Sequence, residues 1–157
     1  MSRPIVEYIA ADIEAAINAI TEANGFNQDL TAARPKRVMF LEDSWEDRDV
    51  LVIQGDENDG VELVGSYGVR EVVQEFALMA IVIDSDASDA AIDTRTNQVA
   101  ADIKKKLRAD PQRSTYALDT IIRPAVRFTV DAALSGITVN VDVKYRVKED
   151  DPYTQAG

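Results

Sequence analysis

The chain has 157 residues, 46% hydrophobic and 29% charged, a composition typical of a folded domain and too apolar for a disordered protein. It contains no Cys and no His, which excludes disulfides, thiolate nucleophiles and every histidine-based catalytic relay. A net charge of −11 argues against nucleic acid as the main ligand. We therefore expect a single domain over residues 1–157 that is not an enzyme and needs no cofactor or metal.

No apolar run reaches the roughly 20 residues of a membrane-spanning helix. The N-terminal segment is amphipathic and does not resemble a signal peptide, so we expect a cytoplasmic protein. The segment from Pro4 to Ala23 has isoleucines at helical spacing and predicts a helix that Gly25 ends. On this helix Ile13 and Ile17 are predicted core residues, whereas Asp12 lies on the predicted solvent side.

The middle of the chain has the composition of strands. Val38–Leu41 is short and apolar, and an acidic loop, Glu42–Asp49, follows it. Val50–Ile53 and Val61–Val64 flank the stretch QGDENDG, which predicts a hairpin loop. Val69–Ile83 predicts a long strand, and its second half, FALMAIVI, is apolar on both faces. Such a pattern indicates a central strand that is covered on both sides.

A second helix is predicted from Ala87 to Ala109, because apolar residues return to helical spacing and Asp110-Pro111 ends them. A connector, Tyr116–Pro124, follows. Alternating residues in Val126–Leu134 and Ile137–Lys148 then predict an antiparallel hairpin with one dry face. Its tight turn is placed at Ser135-Gly136.

The polar tail, Glu149–Gly157, is expected to be frayed apart from Pro152-Tyr153. The order of elements, helix, strands, helix and hairpin, predicts the α+β class. We expect a two-layer sandwich in which both helices cover one face of a mainly antiparallel sheet.

Charged residues offer several candidate sites. Asp84, Asp86, Asp89 and Asp93 form an acidic cluster, but an EF-hand loop that started at Asp84 would need Gly and Glu where Asp89 and Arg95 stand. The carboxylates of Glu42–Asp49 could serve as an acid and base pair or be solvated loop residues. Lys104-Lys105-Lys106 could bind a phosphate, although solvated charges at a helix end are the simpler interpretation.

Two features are candidate subunit or partner interfaces. Trp45, the only Trp, stands among acidic residues and is either packed at the edge of the core or an anchor for a partner. Lys144, Arg146 and Lys148 alternate along the polar face of the predicted hairpin and form a basic stripe. The stripe is either solvated or meets acidic residues of an adjacent subunit.

The whole pattern resembles the tail terminator family of long-tailed bacteriophages, also called tail-completion or minor tail proteins, which includes the lambda tail terminator. The resemblance lies in the isoleucine-rich first helix, the strands, the helix AADIKKKLRADP and the final segment VDVKYRVKEDDPY. It implies a structural protein of the virion, assembled in the bacterial cytoplasm, that forms a hexameric ring. Such a ring caps the tail tube, ends its polymerisation, joins it to the head-side connector and lets DNA pass without specific binding.

Other functions stay open at this stage. A neighbouring neck component, such as a head–tail connector or stopper, has a similar size and also forms rings. An acidic module that mimics DNA or inhibits a host enzyme would also suit the charge of −11. An enzyme that uses only carboxylates would need two acids with shifted pKa values in one deep pocket.

Overall fold

A computed structural model describes residues 2–34, 45–60, 68–83, 89–130 and 134–156 of this chain. The protein is α+β, with two helices and a strongly curled, mostly antiparallel sheet of seven strands. The helices are α1 (Ile5–Asn18) and α2 (Asp89–Ala109). The strands are β1 (Thr31–Ala33), β2 (Asp49–Asp59), β3 (Val69–Ile83), β4 (Asp119–Ile122), β5 (Val126–Thr129), β6 (Leu134–Lys148) and β7 (Asp151–Gln155).

The sheet is organised around two long central strands. The strand order is β1-β2-β3-β6-β4, and β5 and β7 also pair with β6. The β3 and β6 strands pair along their whole length, from Val69 opposite Lys148 to Ile83 opposite Leu134. Among the strands in the described residues, only β1 and β2 run parallel. The long apolar strand predicted over Val69–Ile83 is therefore confirmed with the same bounds, and it occupies a central position.

One face of the sheet, called here the helix-side face, forms a hydrophobic core with both helices. Cross-strand pairs such as Phe76 with Val141 and Leu78 with Val139 lie on this face and are buried. From α1, Ile13 and Ile17 are fully buried in the same cluster, as predicted. The alternation of apolar residues in β6 fixes which of its faces turns towards the helices.

The first helix ends at Asn18, earlier than predicted, and the side chain of this last residue bonds to the backbone of β1. Its side-chain amide donates to the carbonyl of Ala32 (3.2 Å), and its side-chain oxygen accepts from the Ala32 amide (2.8 Å). A 3₁₀ turn, Glu22–Asn24, follows. Gly25, with φ +87°, ends this turn in a left-handed conformation that favours glycine.

Asp12 is not the free surface residue that the helical pattern predicts. Its carboxylate accepts from the guanidinium of Arg113 (3.2 Å) and from the hydroxyl of Ser114 (2.6 Å). Arg113 is buried, with 1% of its side chain exposed, and it also donates to the Leu107 carbonyl (2.6 Å). This interaction ties the segment after α2 to α1. Helical spacing alone cannot reveal it, because the partner is distant in sequence.

The predicted hairpin loop QGDENDG is wrong for residues 54–59, which continue β2 to Asp59. A bulge between Gln54 and Glu57 shifts the register with β3, which accommodates Gly and Asp in the strand. The side-chain amide of Gln74 stabilises the bulge by donating to the carbonyls of Gly55 (2.8 Å) and Asp56 (3.2 Å). The predicted strands Val38–Leu41 and Val61–Val64 lie outside the described residues.

The predicted turn at Ser135-Gly136 is also wrong, because both residues belong to β6. In the observed register Phe128 lies opposite Gly136, and Arg127 lies opposite the core residue Ile137. A Cβ at Gly136 would clash with the Phe128 ring and with the carbonyl oxygen of Ala80, so the strand needs a residue without a side chain here. The glycine that suggested a turn is therefore required for packing within the strand. Because the observed register differs from the predicted one, the side chains of β5 lie on the opposite faces of the sheet from those predicted.

Two segments predicted to lack regular structure form strands. The connector contains β4, whose Ile122 packs against the core, and the tail contains β7. In β7 the Asp151 carboxylate accepts from the Thr154 hydroxyl (2.5 Å), which shapes the strand locally. All three short strands, β4, β5 and β7, pair with the same edge of β6.

Candidate interaction surfaces

The face of the sheet opposite the helix-side face, called here the outer face, carries an apolar band. The band consists of two cross-strand pairs, Leu51 with Met79 and Ile53 with Ala77. All four residues are half-buried, and none belongs to the hydrophobic core. At the edge of the sheet, Val126 lies in the same cross-strand row as Met79, because both residues pair with Thr138. Val126 is 59% exposed. The outer face thus carries apolar residues that lie outside the core cluster formed with the helices.

The far end of the outer face carries the predicted basic stripe, Lys144, Arg146 and Lys148. Arg146 already has a partner in the chain, because its guanidinium lies 3.3 Å from the Glu71 carboxylate on the neighbouring strand. Glu71 has only 6% of its side chain exposed, whereas Arg146 has 32%. Lys144 is half-buried and Lys148 is exposed, and neither forms an ion pair within the described residues. A partner would therefore meet Lys144 and Lys148 rather than Arg146.

An open groove of about 530 Å³ separates the apolar band from the basic stripe. Ile53 and Ala77 line one side, and the Arg123–Asp142 ion pair (2.6 Å) lies on the other. Glu75 also lines the groove, is exposed and has no ion-pair partner in the described part of the chain. The groove is amphipathic, which suits contact with a protein surface.

Trp45 is half-buried beside a loop end that is fixed to the sheet and to α2. The Asp47 carboxylate accepts from the backbone amide of Ile83 (2.9 Å) and from the Arg95 guanidinium (2.6 Å). Arg48, with φ +68°, donates its amide to the carbonyl of Ile81 (2.8 Å). The indole is therefore presented from a fixed backbone with part of its surface accessible, and Trp45 remains a candidate contact residue.

The other charged candidates are only partly within the described residues. Asp84 and Asp86 lie outside the described residues, and Asp93 forms an ion pair with Arg127 (3.1 Å). Among the residues that the structure describes, no group of three acidic side chains could hold a metal ion. The Lys105 ammonium group lies 5.3 Å from the centre of the Phe26 ring, a cation–π geometry at the end of α2.

A cluster of tyrosines was not apparent from the sequence. Tyr8 and Tyr116 stack with ring centres 4.9 Å apart, and Tyr8 and Tyr153 line an open cleft of about 630 Å³ together with Arg3. The tyrosines come from α1, the segment before β4, and β7, so no sequence spacing groups them. Exposed Tyr and Arg are typical of protein contact surfaces.

Among the groups with shifted pKa values, Tyr145 and Glu7 illustrate two different structural causes. Burial raises the pKa of the Tyr145 hydroxyl, which lies on the helix-side face, to about 12. The hydrogen bond from Arg34, with Nη1 2.7 Å from the carboxylate, lowers the pKa of Glu7. The two groups belong to different contacts, a buried phenol and an ion pair at the surface. Both are explained by packing and ion pairing alone.

No helix in the described ranges is long and apolar enough to cross a membrane. No protein-family model matches this chain, and no curated protein is similar to it in sequence.

Proposed function

We propose that this protein is a structural subunit of a tailed bacteriophage, a tail terminator that assembles into a hexameric ring. The ring caps the tail tube, ends its polymerisation and joins it to the head-side neck, and DNA passes through it without specific binding. Its partners are further copies of the chain, the tail tube protein and a neck protein, and its final location is the virion. The subunit acts as a two-layer sandwich with both helices on one sheet face, and it carries out no catalysis.

The apolar band on the outer face is the observation that carries this proposal. Leu51, Ile53, Ala77 and Met79 are adjacent, half-buried and separate from the core formed with the helices. Contiguous apolar surface on a folded protein marks a contact with another protein. Copies that use different surfaces in one contact form a ring when the rotation between them closes. The outer face therefore supplies a subunit contact that suits a ring.

The flanks of the band support an interface rather than a ligand pocket. The groove beside it is open and is bounded by the Arg123–Asp142 ion pair, and Lys144 and Lys148 lie beyond it. An apolar centre with charged residues around it is the usual composition of a protein interface. Burial of such a centre drives association, whereas the charged rim fixes orientation.

The proposal is tested by measuring assembly with wild-type protein and with Met79→Asp. Light scattering and negative-stain imaging should show six-fold rings, and purified tail tubes should stop growing when the wild-type protein is added. Met79→Asp should prevent both effects, because an aspartate would place a charge in the apolar band. Gln98→Asp, on the exposed surface of α2, is the matched control and should behave as wild type.

Circular dichroism of Met79→Asp establishes that the variant is folded. Wild-type protein that stays monomeric at high concentration and does not bind tail tubes would refute the proposal. Rings that bind a neck complex but leave tube growth unchanged would assign the protein to a neighbouring neck position instead.

A further inference from the structure

A concentration of unpaired positive charge lies at the end of α2, in a chain whose net charge is −11. This basic end consists of Lys104, Lys105, Lys106 and Arg108, and none of them forms an ion pair within the described residues. By contrast, the described arginines around the sheet have acidic partners in the chain: Arg70, Arg95, Arg123, Arg127 and Arg146. Lys144 and Lys148 also lack an ion pair in the described residues, but the end of α2 holds four such cations within five residues.

The helix dipole does not account for four cations in five residues. Cations near a helix C-terminus are stabilising because they neutralise the exposed carbonyl groups. Arg113 already serves these carbonyls, because its guanidinium donates to Leu107 (2.6 Å) and to Asp110. Lys104 and Arg108 are four residues apart on one side of the helix, where like charges repel each other and destabilise the helix. An external negative charge would relieve this repulsion.

The subunit offers a matching acidic surface at the bulge of β2, formed by Asp56 and Glu75 and called here the acidic bulge. Both residues are exposed, and neither has an ion-pair partner in the described ranges. The bulge is held in place by Gln74, and a Cβ at Gly55 would lie only 3.3 Å from the Cβ of Glu75. The close approach at Gly55 brings Glu75 of β3 next to the residue that precedes Asp56 in the chain.

We propose that the basic end of α2 contacts the acidic bulge of a neighbouring copy, and this inference rests on the self-assembly in the proposed function. The α2 helix belongs to the helix side of the subunit, whereas Glu75 lies on the outer face, opposite Asp142. The two surfaces are therefore different parts of the molecule, and their contact is head-to-tail. Contacts of this kind form a ring when the rotation between neighbouring copies closes. Charge complementarity fixes the orientation of the neighbours.

Two charge-reversed variants test this contact. The first carries Lys104→Glu, Lys105→Glu and Arg108→Glu, which leaves three negative charges and one positive charge at the basic end, and the second carries Asp56→Lys and Glu75→Lys. Each variant alone should place like charges in every contact, and its ring should dissociate at low salt, with the apparent Kd raised at least about tenfold. Mixed in equal amounts, the two variants should form an alternating ring, because each reversed surface then meets its reversed partner and each native surface meets a native one.

Sedimentation velocity at low and high salt measures assembly, and circular dichroism checks that each variant is folded. A variant with Glu22→Lys and Glu149→Lys changes the net charge as much as the second variant does, at exposed positions outside both surfaces, and should assemble as wild type. Rings that persist at low salt in either reversed variant alone would overturn the contact. Reversed variants that fail to assemble when mixed would also overturn it, and both results would leave the proposed function intact. Double-stranded DNA binding that is lost in the first variant, with assembly unchanged, would assign the basic end to DNA instead. Wild-type protein that forms no ring would refute the proposed function itself.

Discussion

Replacing Arg146 with Ala should destabilise the fold, whereas replacing Lys144 with Ala should not. The Arg146 guanidinium is 3.3 Å from a Glu71 carboxylate that is only 6% exposed. Loss of one partner from a buried ion pair costs about 3–5 kcal/mol, and an exposed pair is worth about 0–1 kcal/mol. Because 32% of the Arg146 side chain is exposed, we expect an intermediate loss of about 1–3 kcal/mol. Lys144, which has no ion pair in the described residues, should change stability by no more than about 0.5 kcal/mol.

Urea denaturation, at protein concentrations where the chain is monomeric, measures the free energies of unfolding of the Arg146→Ala and Lys144→Ala variants. In a thermal melt the Arg146→Ala loss corresponds to roughly 2–12 °C in Tm for a chain of this size. The double variant Arg146→Ala/Glu71→Gln should recover part of the loss, since the remaining side chain is then neutral. Equal stability of the Arg146→Ala and Lys144→Ala variants would refute the reasoning, and Arg146 would again be an ordinary member of the basic stripe.

Three further predictions concern the core and the sheet. Gly136→Ala should lower stability by about 1–3 kcal/mol, because the new methyl group meets the Phe128 ring; an unchanged urea midpoint would contradict this packing. The pKa of Tyr145 is raised to about 12 in the folded state, so an unfolded chain loses this proton first, near pH 10. The free energy of unfolding should therefore fall by about 2–3 kcal/mol as the pH rises from 10 through 12. The Tyr145→Phe variant should show a flatter dependence of this free energy on pH in the same range. Ile13→Ala should lower the free energy of unfolding by about 2–5 kcal/mol, because its side chain is fully buried. Asp12→Ala should cost more than the roughly 0.5 kcal/mol of a free surface residue, because the Asp12 carboxylate holds the segment after α2. Denaturant melts of the two variants check both predictions.

The sequence predicted best the elements whose apolar pattern is long. Val69–Ile83 was predicted with the bounds that β3 has, and the second helix was placed within two residues of its start. Both segments are long enough for the period of apolar residues to identify the type of element. The two isoleucines chosen as core, Ile13 and Ile17, are fully buried.

The errors arose where a residue serves a distant contact. Gly136 resembles a turn residue, yet it is required because Phe128 packs against it. The glycine and acidic residues of QGDENDG resemble a loop, yet Gln74 holds them as a bulge in β2. The same limit applied to the candidate site, since the pairing of Arg146 with Glu71 depends on strand register. Local patterns do not contain that information.

The pairing of β3 with β6 also determines how this chain must fold. The two strands are joined by a connection that contains α2, β4 and β5, and their pairs run from Ile83 with Leu134 to Val69 with Lys148. The longest ladder of the sheet is therefore built from partners that are far apart in sequence, which raises the contact order and slows folding. Until β6 arrives, the apolar edge of β3 stays open to strands of other chains. If the chain assembles with itself as we propose, it thus has a kinetic reason to complete its own sheet before it meets its neighbours.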